Sequence, residues 1–137
     1  MRLIPFVLFL ILVACSSAPA TTSLTPQQVI DAFSAAGLEV GETRPMTVED
    51  YGVAPMAEEG VRFLIPSLGE DAGGRVMRYE SEAAAEEAAT FYKELGTQSA
   101  VLFSWAFQNG PLVVQINGEL PEEQARQYEE ALGSLSP

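Results

Sequence analysis

Residues 100–117 read AVLFSWAFQNGPLVVQIN, and the fold turns on how this stretch is read. Asn109-Gly110 between two apolar runs is a strong short-range hairpin signal, because both residues tolerate the positive φ of a tight turn. A strand over Ala100–Gln108 is therefore expected to return over Pro111–Asn117. Val101, Phe103, Trp105 and Phe107 then fall on one face of the first strand, and Leu112, Val114 and Ile116 on one face of the second. Pro111 cannot donate to a ladder, but beside the turn that loss costs little. The aromatic stripe has two readings: a face covered by helices, or an exposed platform for a ligand or partner. Contiguous apolar patches are uncommon on soluble proteins, which favours the covered face.

Upstream, Arg75–Glu80 alternates as a strand, with Met77 and Tyr79 on one face and Arg78 and Glu80 on the other. Ser81 caps a helix over Glu82–Leu95 whose stripe is Ala84, Ala85, Ala88, Phe91, Tyr92 and Leu95, stopped by Gly96. Val61–Ile65 is a dense apolar strand closed by Pro66, and Ser67–Gly74 is a loop. The first helix opens at Thr25, with Pro26 at its first position and Gln28 at capping-box spacing. Val29, Ile30, Phe33 and Ala36 give its buried stripe, and Gly37 ends it. Leu38–Val40 reads as a short strand. Downstream, a last helix begins at Pro121 and buries Ala125, Tyr128, Ala131 and Leu132 before Gly133.

The order helix, strand, strand, strand, helix, strand, strand, helix defines the α+β class. The expectation is an antiparallel-dominated sheet of about five strands with helices packed on one face. The crossover from strand 75–80 through helix 82–95 to strand 100–108 makes it partly split-βαβ-like. One domain over residues 25–135 suffices.

The amino terminus carries a different message. Arg2 precedes an apolar run from Leu3 to Ala14, and Ser16, Ser17 and Pro19 end it at once. A spanning helix needs about 20 apolar residues, so the run has the size of a signal core. It closes on Leu12-Val13-Ala14-Cys15, an aliphatic residue, two smaller ones and the single cysteine of the chain. This order resembles the lipobox of bacterial lipoprotein precursors. The resemblance implies removal of residues 1–14, lipidation of Cys15, and anchoring in a membrane on the extracytoplasmic side. Ser16, rather than Asp, after the cysteine suggests outer-membrane sorting in a diderm host. Residues 15–24, rich in Ser, Thr, Ala and Pro, read as a flexible tether.

Composition removes several chemistries. Nineteen acidic residues face seven basic ones, for a net charge of −12, so a phosphate backbone is repelled and no nucleic-acid partner is expected. There is no histidine, which excludes Ser-His-Asp and Cys-His sites and His-based zinc sites. Gly69–Arg75 is glycine-rich but acidic, the wrong charge to cradle phosphate, and reads as a turn. No cofactor, metal or catalytic residue is assigned.

Residues 41–60 form the longest irregular stretch, where Thr47 and Asp50 cap one turn around Val48–Tyr51. Long irregular segments are often functional, so Glu49, Asp50, Tyr51, Glu58 and Glu59 are the candidate binding surface. Their carboxylates offer hard oxygen ligands, but not at calcium-loop spacing. The expected function is a non-catalytic binding or interaction module of the cell envelope, attached to the lipid membrane through acylated Cys15. The alternatives are an assembly accessory of an envelope protein complex and, less favoured, a carboxylate-dependent hydrolase.

Overall fold

The computed structural model describes residues 24–137; the segment read as a signal peptide, Cys15 and the stretch read as a tether, as far as Ser23, lie outside them. Helix α1 (Pro26–Ala35) starts where Thr25 closes its capping box. The Thr25 hydroxyl accepts from the Gln28 N–H at 3.2 Å, and the Thr25 N–H donates to the Gln28 side-chain oxygen at 2.9 Å. The described residues continue through strand β1 (Thr43–Pro45), helix α2 (Val48–Tyr51), strand β2 (Glu59–Leu64) and strand β3 (Gly73–Arg78). Helix α3 (Glu82–Gln98), strands β4 (Ser104–Asn109) and β5 (Leu112–Asn117), and helix α4 (Glu122–Gly133) complete the order. The Ser81 hydroxyl caps α3 by accepting from the Ala84 N–H at 3.1 Å.

The strands form one antiparallel sheet in the order β1-β2-β3-β5-β4, which is the α+β arrangement expected. Strand β5 is antiparallel to both β3 and β4, so those two run parallel with β5 between them, and α3 is the crossover of a split βαβ unit.

The helices cover both faces of the sheet, not one. Helices α1 and α4 pack on the face made by Val61, Phe63, Val76, Phe107, Val114 and Ile116. Helices α2 and α3 pack on the face made by Met77, Tyr79, Ala106 and Val113. The cause lies in Leu112-Val113-Val114, a continuous apolar run with every residue at 0% exposure. A strand buried on both sides needs cover on both sides.

Other local expectations shift for identifiable reasons. Leu38 and Val40 pack against the core without joining the sheet; pairing starts later, where Gly41 N–H donates to the Leu64 carbonyl at 2.7 Å. The first hairpin strand begins at Ser104, because residues 100–102 take a 3₁₀ turn capped by Ser99. The hairpin turn is Gly110-Pro111, with positive φ at Gly110 alone, the requirement of a type II′ connection. Asn109 stays in the strand, where its amide donates to the carbonyls of Leu132 and Leu135 at 2.8 and 2.9 Å and ties the hairpin to the end of α4.

Glycines set two close approaches. Gly73 and Gly74 are strand residues opposite Leu64 and Phe63; a Cβ on Gly74 would sit 2.7 Å from the Phe63 ring. Gly96 does not stop α3. It lies inside the helix, where a Cβ would meet the Phe103 ring at 3.0 Å.

Phe33, Phe63 and Tyr128 join α1, β2 and α4 in one aromatic cluster, with ring centroids 5.2 to 6.1 Å apart. The Tyr128 hydroxyl donates to the Glu39 carbonyl at 2.6 Å. Burial, aided by the nearby Glu39 charge, pushes its phenol up to about 12.

Phe63→Ala is expected to destabilise by about 3–5 kcal/mol, most of a small domain's margin. Val53→Ala, at a side chain 90% exposed, is expected to stay within about 0.5 kcal/mol. Urea unfolding of the two variants checks the contrast.

Candidate functional site

The register of the sheet aligns three arginines. Arg44 on β1 faces Arg62 on β2, and Arg62 faces Arg75 on β3. Gln115 on β5 and Ala106 on β4 continue the row across the sheet. Like charges directly opposite one another are destabilising, so this row requires a counter-charge.

Asp50 supplies it from the last turn of α2. Its two carboxylate oxygens accept from the two terminal nitrogens of Arg44 at 2.7 and 2.8 Å, and one of them lies 3.5 Å from Arg62. The Thr47 N–H donates to the same carboxylate at 2.7 Å. The main-chain carbonyl of Asp50 accepts from Arg75 at 2.7 Å. One residue thus touches all three guanidiniums. The hydrogen bonds from Arg44 hold the Asp50 carboxyl well below the usual carboxylate range, against the opposing pull of desolvation; the Thr47 N–H and the charge of Arg44 add to the depression.

The five residues singled out in the 41–60 stretch do not form one surface. Asp50 is the hub just described. Tyr51 is buried with Met77, Tyr79 and Tyr92, and burial raises its phenol. Glu49 is exposed, and hydrogen bonds from its own N–H and the Thr47 hydroxyl lower its carboxyl. Glu58 and Glu59 pair with Arg78 at 2.7 and 3.4 Å. Arg78 and Glu59 are cross-strand partners on the opposite sheet face from Arg75. Among the described residues, no group of three or more His, Cys, Asp or Glu side chains converges as a metal site.

The α3 side of the sheet is only half covered. Helices α2 and α3 lie over Met77, Tyr79, Ala106 and Val113, whereas Arg62, Arg75, Gln115 and Asn117 line an open depression of about 170 Å³. A second depression of about 200 Å³ adjoins it through Arg62 and Asp71, toward Glu42 and Arg44. A third, of about 580 Å³, adjoins it through Gln115 and Asn117 and is walled by Val101, Leu102 and Phe103. The three make one trough crossing the sheet from β1 to β4. Its chemistry changes along the way: mixed charge from β1 as far as Asp71, donors from Arg75 to Gln115 and Asn117, apolar side chains at the β4 end.

The apolar end is exposed. Val101, Leu102 and Phe103 are 91%, 50% and 41% accessible. The aromatic stripe read from the sequence therefore divides. Phe107 is core and Trp105 packs against the core, with its indole N–H on the Leu120 carbonyl at 2.8 Å; Phe103 stands edge-on to Trp105, its ring set between Gly96 and Gly118 and 41% exposed.

Comparison with protein-family models, with curated proteins and with solved structures gave no match.

Asp50→Asn keeps the side-chain shape and removes the charge, and is expected to lower stability by about 2 kcal/mol near neutral pH. A depressed carboxyl contributes in full above its ordinary value of 3.8 and loses that contribution as pH falls below it. The gap between the two proteins in urea melts should therefore narrow on acidification through the ordinary carboxylate range. A gap that stays constant would remove Asp50 from the role of counter-charge.

Proposed function

We propose that the chain is a membrane-anchored, extracytoplasmic lipoprotein whose folded domain is a non-catalytic binding module of the cell envelope. Its trough is the observation that carries the binding half of this reading: two guanidiniums and two amides beside an exposed apolar shelf, on the part of the sheet face that α2 and α3 leave open. An exposed Val101-Leu102-Phe103 segment is the composition expected of a protein contact. The anchoring half rests on Leu12-Val13-Ala14-Cys15 after its short apolar run. Two or more acyl chains hold a protein stably at a membrane, whereas one chain does so only marginally. Anchoring raises the effective concentration of a small domain near its envelope partner without new contacts. The host envelope decides between the cell membrane and the outer membrane.

A second reading, an assembly accessory of an envelope protein complex, shares the same surface. The apolar shelf favours it, because assembly contacts are richer in apolar side chains than transient ones.

Intact mass of the protein purified from membranes is expected to begin at Cys15 and carry acyl groups, and Cys15→Ser is expected to lose both. In-cell crosslinking of the anchored protein should capture a discrete envelope partner that the Cys15→Ser protein captures weakly. An unacylated wild-type mass would refute the anchor. Equal capture by both proteins would refute the role of anchoring in binding.

A further inference from the structure

Building on the binding-module reading, we infer that the trough receives an extended segment of a partner protein carrying a single carboxylate about four residues from a large apolar side chain. The middle of the trough has surplus donors. Arg75 gives one N–H to the Asp50 carbonyl and also faces the Tyr92 hydroxyl, and the Arg62 contacts to Asp50 and the Asp71 carbonyl are long, at 3.5 and 3.4 Å. Each guanidinium has five N–H donors, so both keep capacity for a ligand oxygen. The Asn117 side-chain oxygen accepts from the Glu119 N–H at 2.8 Å, which leaves its NH₂ group as the free end of that amide. Paired donors of this kind recognise a carboxylate.

Other features limit the occupant. Glu42, Asp71 and Glu119 line the trough and repel a run of acids, so one carboxylate is accepted and several are not. Small-molecule sites enclose most of their ligand; this trough lies open along the sheet, as suits a chain segment. Spacing follows from the fold. Strands β3 and β4 are separated by β5 and stand about two strand spacings, or 10 Å, apart. Phe103 lies three residues, about another 10 Å, along the chain from Ala106, the residue level with Arg75. Arg75 and the apolar shelf therefore stand about 14 Å apart. An extended chain covers that distance in about four residues. The ligand's carboxylate over Arg62 and Arg75 then sets its apolar side chain against Val101 and Phe103.

The test is selection of a heptapeptide display library against the full-length protein. Enriched peptides should place Asp or Glu about four residues from Phe, Trp, Leu or Ile, with inorganic phosphate competing poorly. Arg75→Gln should weaken a selected peptide about tenfold, the scale of one charge-assisted hydrogen bond. Val101→Asp, at a side chain 91% exposed and outside the core, should abolish the apolar preference while thermal unfolding is unchanged. No enrichment, enrichment without the paired acid and apolar positions, displacement by phosphate alone, or indifference to Val101→Asp each overturns the inference. A crosslinked envelope partner whose capture Val101→Asp does not weaken would leave the binding-module reading standing while removing this one.

Discussion

Because β5 is paired on one side with β3 and on the other with β4, its Leu112, Val113, Val114 and Ile116 all lie at 0% exposure, and the rest of the architecture answers the demand to cover both of its faces. Burial of such side chains is worth about 1.5–3 kcal/mol each, the largest favourable contribution available to a domain of this size. Helices α1 and α4 cover one face, with Phe33 and Tyr128 meeting Phe63. Helix α3 covers the other through Ala85, Ala88, Ala89 and Tyr92. Its small residues bring the backbone close to the sheet, over β4 and β5.

That economy of cover leaves the β1–β3 half of the second face to α2, a single turn. A helix this short cannot hold itself by propensity. Tyr51 seats it among Met77, Tyr79 and Tyr92, and Asp50 pins it to the arginine row. Gly60 makes the fit possible, since a Cβ there would sit 2.6 Å from both the Tyr51 hydroxyl and the Met46 sulfur. Asp50 therefore serves two ends at once: it relieves repulsion along the row and fixes the edge of the open trough.

Signals that act within a few residues were legible. Thr25, Thr47 and Ser81 marked three helix starts, because a capping side chain bonds to its own helix. The hairpin was legible too, although its turn moved by one residue to Gly110-Pro111 once Asn109 bonded to the end of α4. The apolar run Leu112–Val114 contained the two-faced burial, but alternation counted from Leu112, Val114 and Ile116 hid Val113. Nothing local marks the arginine row. Arg44, Arg62 and Arg75 meet only through the register of three strands, and no spacing in the chain encodes that register. The acidic pairs of residues 49–50 and 58–59 drew attention by proximity in sequence, yet the sheet divides them between its two faces.

The placement of this row in a chain of net charge −12 decides how a carboxylate would be recognised. At physiological ionic strength charges are screened beyond about 8 Å. The acidic residues spread over α3 and α4 therefore weigh little on a group already seated at Arg62 and Arg75, while they discourage indiscriminate approach by acidic surfaces. Recognition then depends on contact geometry rather than on long-range steering, which carries less of the association rate when the overall charge is unfavourable. The proposed membrane anchoring would complement this arrangement, because a domain held near its partner does not need steering to reach it. The apolar shelf supplies what the guanidiniums lack, since an exposed ion pair alone contributes at most about 1 kcal/mol. Binding as proposed at the trough would therefore require its donor and apolar parts to be filled together, which is a condition of specificity as much as of affinity.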